Sequence, residues 1–369
     1  MSDEFAKQVL GEEAVKSAKD AGREREIANA NRSAGTGKKG MGKGKKIAII
    51  ASAVVAVAAI ALCVIFFWPR KKSETVYLDG LDVLCAPCGI TFMKGETFLV
   101  TDIYGKKIWS VTGKNATVYA GKNTVEDLYG EPMGGYNDAT LQESLFKDPY
   151  AIVPFLNGYA VSDTRNHAIR LLRDGAVQTI NGRSDGLEED DIGVTFDQPT
   201  GLAVDDKGNL YVADTGRGTI YRIASDGMAD ILKDGLHAPM GICFANGAIY
   251  VAETGEHRII SVSIADGSIN LIAGTGEEGD ADGPAMTATF ASPKGIAVAE
   301  NGAVYVGDTV NGTVRRVYNG MVETILVADD SKLSTTPVSP TGLYVWEDSL
   351  YVCDPFARRI YMISVKEKN

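Results

Sequence analysis

From residue 87 onward the chain alternates short apolar runs with turn-forming clusters of Gly, Asp and Asn. Residues 201–232 show the pattern in full. Residues 201–204 are apolar, 205–208 are turn chemistry, and 209–213 are apolar up to Asp214. Residues 219–223 alternate apolar and polar, 225–227 turn, and 228–232 form a fourth run. Runs this short, with no helical periodicity between them, predict four strands joined as an antiparallel meander.

The unit recurs six times. A Pro opens each first strand and an Asp or Glu closes each second strand: Pro87/Asp102, Pro149/Asp163, Pro199/Asp214, Pro239/Glu253, Pro293/Asp308 and Pro340/Asp354. Six positions after each acid stands an aliphatic: Ile108, Ile169, Ile220, Ile259, Val314 and Ile360. A lone four-stranded sheet cannot bury both faces, so radially stacked copies predict an all-β, six-bladed β-propeller. The sixth unit offers only three runs, 342–345, 349–353 and 359–363. Residues 74–78 supply a strand ahead of the first unit, and we expect it to complete the last blade and remove the open edges.

The residues before the repeats divide differently. Residues 1–46 are polar, end in a Gly/Lys stretch and read as a mostly disordered tail. Residues 47–68 are 22 positions without a charge. As a helix they span ~33 Å, enough for a bilayer core of ~30 Å. Residues 69–73 form a basic spacer, which leaves 74–369 for the propeller. Arg32, Lys38, Lys39, Lys43, Lys45 and Lys46 precede the apolar run, against Arg70, Lys71 and Lys72 after it. This bias predicts a single-pass protein of the cell membrane with its N-terminus in the cytoplasm and its propeller outside. The tail holds 11 Lys/Arg against 7 Asp/Glu and the spacer three further cations, so the −11 of the whole chain leaves −18 for residues 73–369. That balance argues against a nucleic-acid partner, whose phosphates it would repel.

The units resemble NHL repeats over about residues 74–369. The carrying motifs are Thr164-Arg165-Asn166-His167, Pro199-Thr200-Gly201-Leu202, Leu210-Tyr211-Val212-Ala213-Asp214, and a Gly-rich acidic connector with Phe three before Pro. That last pair recurs as Phe146/Pro149, Phe196/Pro199 and Phe290/Pro293. The resemblance implies a propeller. NHL-like propellers include binding scaffolds and a few metal-dependent enzymes, so the family leaves activity open.

Strand direction alternates within a blade. The loops between second and third strands therefore share one face with the inter-blade connections, including the long inserts 120–148, 181–198 and 274–292. Those loops are where the units differ most, and they nominate Tyr104, Arg165, His167, Arg217, Glu256, His257, Phe356 and Arg358 as ligand contacts. An aromatic and cationic set on an acidic domain suits a protein, peptide or carbohydrate ligand. The six repeat acids occur in every unit and are expected to hydrogen-bond their own turns. His167 and His257 also fit a purely repetitive role, four residues after the acid.

Cys85 and Cys88 could close a small-loop disulfide in an exported domain or simply pack. Cys243 and Cys353 stand where other units have Ala and read as small buried fillers. Asp280 and Asp282 begin like a calcium loop that lacks its distal Glu, so weak calcium binding competes with a solvated acidic loop. Residues 184–191 are a second acidic loop of this kind. The leading expectation is thus a membrane-anchored binding module without a catalytic residue. The alternative is a metal-dependent lyase or hydrolase with its site in the central channel. That reading needs a cluster of His, and the chain has only His167, His237 and His257.

Overall fold

The computed structural model describes residues 75–77, 81, 83–128, 130–183, 191–327 and 339–365. The predicted tail, apolar span and basic spacer lie outside the described residues. Among the described residues no helix is long and apolar enough to cross a membrane.

β1 (Thr75–Tyr77) precedes six antiparallel sheets. Blade one is β2 (Pro87–Lys94), β3 (Thr97–Asp102), β4 (Lys107–Thr112) and β5 (Asn115–Ala120). Blade two is β6 (Pro149–Phe155), β7 (Gly158–Asp163), β8 (Ala168–Arg173) and β9 (Ala176–Arg183), edged by β10 (Asp191–Ile192). Blade three is β11 (Pro199–Val204), β12 (Leu210–Asp214), β13 (Thr219–Ile223) and β14 (Ala229–Lys233). Blade four is β15 (Pro239–Ala245), β16 (Ala248–Glu253), β17 (Arg258–Ser263) and β18 (Ile269–Ala273). Blade five is edged by β19 (Gly283–Pro284) and built from β20 (Pro293–Val298), β21 (Val304–Asp308), β22 (Thr313–Tyr318) and β23 (Met321–Val327). Blade six takes β24 (Gly342–Trp346), β25 (Ser349–Asp354) and β26 (Arg359–Ser364), and β1 pairs with β26 as its fourth strand.

The innermost strands β2, β6, β11, β15, β20 and β24 neighbour one another in that order and return to β2. The protein is a closed six-bladed propeller. The Pro-x-Gly signature explains how tightly it closes. A Cβ added at Gly89, Gly201, Gly241, Gly295 or Gly342 would lie 1.7–2.8 Å from the carbonyl oxygen of Tyr150, Met240, Lys294, Thr341 or Cys88. Each of those residues directly follows the repeat Pro of the next blade. Thr164, Thr215, Thr254 and Thr309 each follow a repeat acid, and each hydroxyl donates to the Pro carbonyl of the next blade at 2.6–2.8 Å. At the seam between blades six and one the corresponding residue is Pro355, and β1 with a stack of Phe92 on Trp346 holds the closure instead.

The core sits between blades. Six apolar clusters fill the six interfaces. All six aliphatics at acid plus six are fully buried, and Phe146, Phe196 and Phe290 are buried with them. Burying each such side chain contributes about 1.5–3 kcal/mol relative to exposure.

The inserts before blades two and five depart from expectation, because they do not stay on the acid-bearing face. Leu141 N bonds Gly175 O and Ala285 N bonds Gly320 O, both in turns at the opposite end of the blade. These segments therefore run down the outer edges of blades two and five and cover strand edges that would otherwise be open.

Candidate functional site

The six repeat acids are buried. Each accepts a backbone N–H from one or both of the two residues ahead of its own repeat Pro, at 2.7–3.1 Å. Five of them also accept from their own turns, as expected: Asp102 from Gly105 N, Asp163 from Asn166 Nδ2, Asp214 from Arg217 N, Asp308 from Asn311 Nδ2, and Asp354 from Phe356 N and Ala357 N. Their work is therefore to tie each incoming connection to its blade. Burial raises the carboxyls of Asp163, Asp214, Asp308 and Asp354 above the ordinary carboxylate value, against the lowering effect of these bonds.

The position four residues after each acid is left-handed in all six blades, occupied by Lys106, His167, Gly218, His257, Gly312 and Arg358. Three predicted ligand residues thus stand at a backbone-conformation position. The His167 imidazole meets the Asp197 carbonyl through Nδ1, which makes it a donor there, and His257 Nδ1 accepts from Ser292 N at 3.0 Å. Both rings brace the next connection. Arg217 lies 3.6 Å from Asp214, and Glu256 pairs with His237 at 2.5 Å. Phe356 remains 62 % exposed.

Tyr104 and Arg165 are brought together. They line a groove of about 390 Å³ with Lys106, Lys147, Met133 and the carboxylates of Asp127 and Glu131. Lys106 is held by Asp148 at 2.6 Å, and Arg165 reaches the same carboxylate at 3.9 Å. One wall belongs to the insert, where Met133 N bonds Val125 O at 3.0 Å and Asp127 N bonds Glu131 O at 2.8 Å. This hairpin-like loop presents apolar side chains to solvent: Val125 is 78 %, Met133 61 % and Leu128 101 % exposed. No sequence signal marked them, because Val125, Leu128 and Met133 are single apolar residues scattered among polar ones in a connection.

Two buried arginines were also missed. Arg170 bonds Asp163 at 2.9 Å and Asp138 at 2.6 Å over the Phe146 ring. Arg315 does the same with Asp308 and Asp282, both at 2.7 Å, over Phe290. Both sit seven residues after the repeat acid, a spacing that was legible. They lock the inserts of blades two and five to their sheets. Asp282 also accepts from Thr324 N at 2.9 Å, so its charge is neutralised and both its oxygens are engaged. Asp282 thus serves as the partner of Arg315, and among the described residues no group of three potential metal ligands forms. Residues 184–190 of the other acidic loop lie outside the described residues.

Cys85 and Cys88 are free thiols rather than a disulfide. Burial pushes the Cys88 thiol up to about 12, where it lies beside the Tyr150 hydroxyl. Cys353 is buried as expected, whereas Cys243 is only half-buried and lines the axial channel.

That channel has a volume of about 260 Å³ and is walled by the six first strands, largely Gly and aliphatic residues. It offers no His, Asp or Glu. Among the described residues no three His, Cys, Asp or Glu could hold a metal ion. Among the described residues the channel therefore offers no His cluster of the kind a propeller metal centre would use.

Comparison with known proteins agrees with the repeat. Residues 196–220 match the NHL repeat family model and residues 275–349 match that of the Teneurin NHL domain. The chain is thus a six-bladed β-propeller in which these two segments match NHL models. It is 28 % identical over 289 residues to Protein SUPPRESSOR OF QUENCHING 1, chloroplastic, of Arabidopsis thaliana, covering 66 % of this chain and 27 % of that one. It is 23 % identical over 334 residues to human NHL repeat-containing protein 2, covering 73 % and 46 %. The chain spans less than half the length of these relatives. Among solved structures, virginiamycin B lyase from Staphylococcus aureus superposes with a TM-score of 0.56 at 14 % identity, covering 79 % of this chain and 99 % of that one. An auxiliary nutrient binding protein from Bacteroides thetaiotaomicron gives 0.57 at 12 %, covering 76 % and 69 %. At these identities the likeness is one of fold.

Proposed function

We propose that this protein is a binding module. Its propeller docks a protein or peptide segment on the acid-bearing face, through the 121–135 loop and the groove beside it. The observation that carries this reading is the set of apolar side chains held in the open, Leu128 fully exposed with Val125 and Met133 beside it. Exposed apolar side chains gathered on one ordered loop are a feature of interaction sites. Tyr104, Lys147 and Arg165 line the adjacent groove and supply polar and cationic contacts. Residues 47–68 anchor the module in a membrane, with the propeller on the extracytoplasmic side. β1 runs from Thr75, paired with Ile363, toward Tyr77, paired with Tyr361, so the chain joins the ring from the opposite face.

The test is site-specific photo-crosslinking in native membranes. A photoreactive residue at Leu128 should capture a discrete partner that one at Lys114, in a turn on the opposite face, does not. Val125→Asp with Leu128→Asp should abolish capture at a photoreactive Tyr104. Identical products from both faces, or capture indifferent to the double substitution, would sink the reading. Protease added to intact cells should degrade the propeller; full protection would reverse the orientation.

A further inference from the structure

The face opposite the repeat acids carries a second concavity, between blades five and six, with a volume of about 800 Å³. Val298, Tyr344, Val345, Trp346 and Val365 line it, and Glu300, Glu347 and Asp348 add their carboxylates. No Lys, Arg or His lines it among the described residues. Glu300 stands in the turn between β20 and β21 and Glu347 in the turn between β24 and β25, both exposed. The turns are tied down: Asn301 Oδ1 accepts from Ala303 N at 3.0 Å, and Val365 N donates to Asp348 O at 2.8 Å. Phe92 stacks on Trp346 at 3.7 Å and 15°, which fixes the indole at the groove wall. The groove shares Val298, Tyr344 and Val345 with the axial channel. In that channel Thr91 is 1 % exposed, and its hydroxyl stands beside that of Tyr344.

We propose that this groove binds a cationic aliphatic group, the chemistry of a Lys or Arg side chain in a peptide. An aliphatic stem packs along Val298 and Val345, as long basic side chains do on apolar surface. The cationic head then lies against the indole and between carboxylates, where cation–π attraction and charge act together in a partly desolvated site. Acidic surface alone attracts any cation weakly; the fixed indole and the apolar wall give this groove its selectivity. The inference is independent of the docking role assigned to the other face.

The experiment titrates the full chain, in neutral detergent, with acetylated tri-arginine amide, read by indole fluorescence and calorimetry. One-to-one binding is expected, weakened about tenfold by Glu300→Gln with Glu347→Gln. Trp346→Phe should weaken it further. Glu277→Gln with Glu278→Gln, which removes two exposed acids from the acid-bearing face, should leave it unchanged. Equal weakening by the two pairs would mean nonspecific attraction to an acidic domain and overturn the proposal. So would an absence of binding, or affinity indifferent to Glu300 and Glu347. The two Glu variants alter only exposed side chains, so an unchanged thermal midpoint separates lost binding from lost fold.

Discussion

Arg170 and Arg315 have side chains with no exposed surface, yet each meets two carboxylates and two backbone carbonyls. A buried charge tolerates such a place only when every donor is paired. Arg315→Met leaves Asp308 buried with a lone charge, so it should cost about 3–5 kcal/mol in urea unfolding, as does removing one partner of other buried pairs. A loss no larger than that of an exposed substitution such as Lys114→Met would refute the buried-pair account. The thiols make a second prediction. Burial raises all four propeller cysteines, Cys88 and Cys243 to about 12 and Cys85 and Cys353 in the same direction. Native alkylation at mildly alkaline pH should therefore label them slowly, with Cys88 and Cys353 last and only on unfolding, as peptide mass mapping would read. A Cys85–Cys88 crosslink resisting alkylation in the unfolded, unreduced protein would contradict the free-thiol structure. At this scale sequence reasoning placed the acids, the Pro and the aliphatics. It marked His167, His257 and Arg358 as loop positions without showing that the backbone there is left-handed, because φ is not written in a residue's identity.

At the scale of the element, the repeat Gly is a contact between blades rather than a feature of one strand. Gly342 shows this most sharply, since an added Cβ would lie 1.7 Å from Cys88 O across the closing seam. Gly342→Ala should cost about 1–3 kcal/mol, the usual range for overpacking, and lower the thermal midpoint. Gly320→Ala, where a Cβ would meet nothing within 4 Å but φ is +72°, gives the cost of backbone strain alone. If the two variants melted together, closeness at the seam would not be the reason for the Gly. The inserts belong to this scale too. Their strand-like bridges to the outer edges of blades two and five were not foreseen, because β19 is two residues long and no local pattern marks so short a pairing.

For the whole molecule, charge and burial combine. The carboxyls of Asp163, Asp214, Asp308 and Asp354 are raised by burial. A carboxyl raised on folding holds its proton more readily in the folded chain. Its contribution is present below the unfolded value and lost as pH rises through the folded one. Relief of the repulsion within residues 73–369, which carry −18, acts in the same direction. The thermal midpoint should therefore hold or rise as pH is lowered from about 7 to about 5. A clear fall in that window would mean that paired, depressed carboxylates dominate. The sequence by itself determined the blade count, the strand order within a blade and the completion of blade six by β1, because these follow from a spacing repeated six times. Tertiary structure alone decided which acids and rings are braces and that, among the described residues, no His, Asp or Glu lines the axis. It also brought Tyr104, Arg165 and Met133 to one groove and Glu300, Trp346 and Glu347 to another. Those groups come from different blades or different turns, and only closure of the ring sets them side by side.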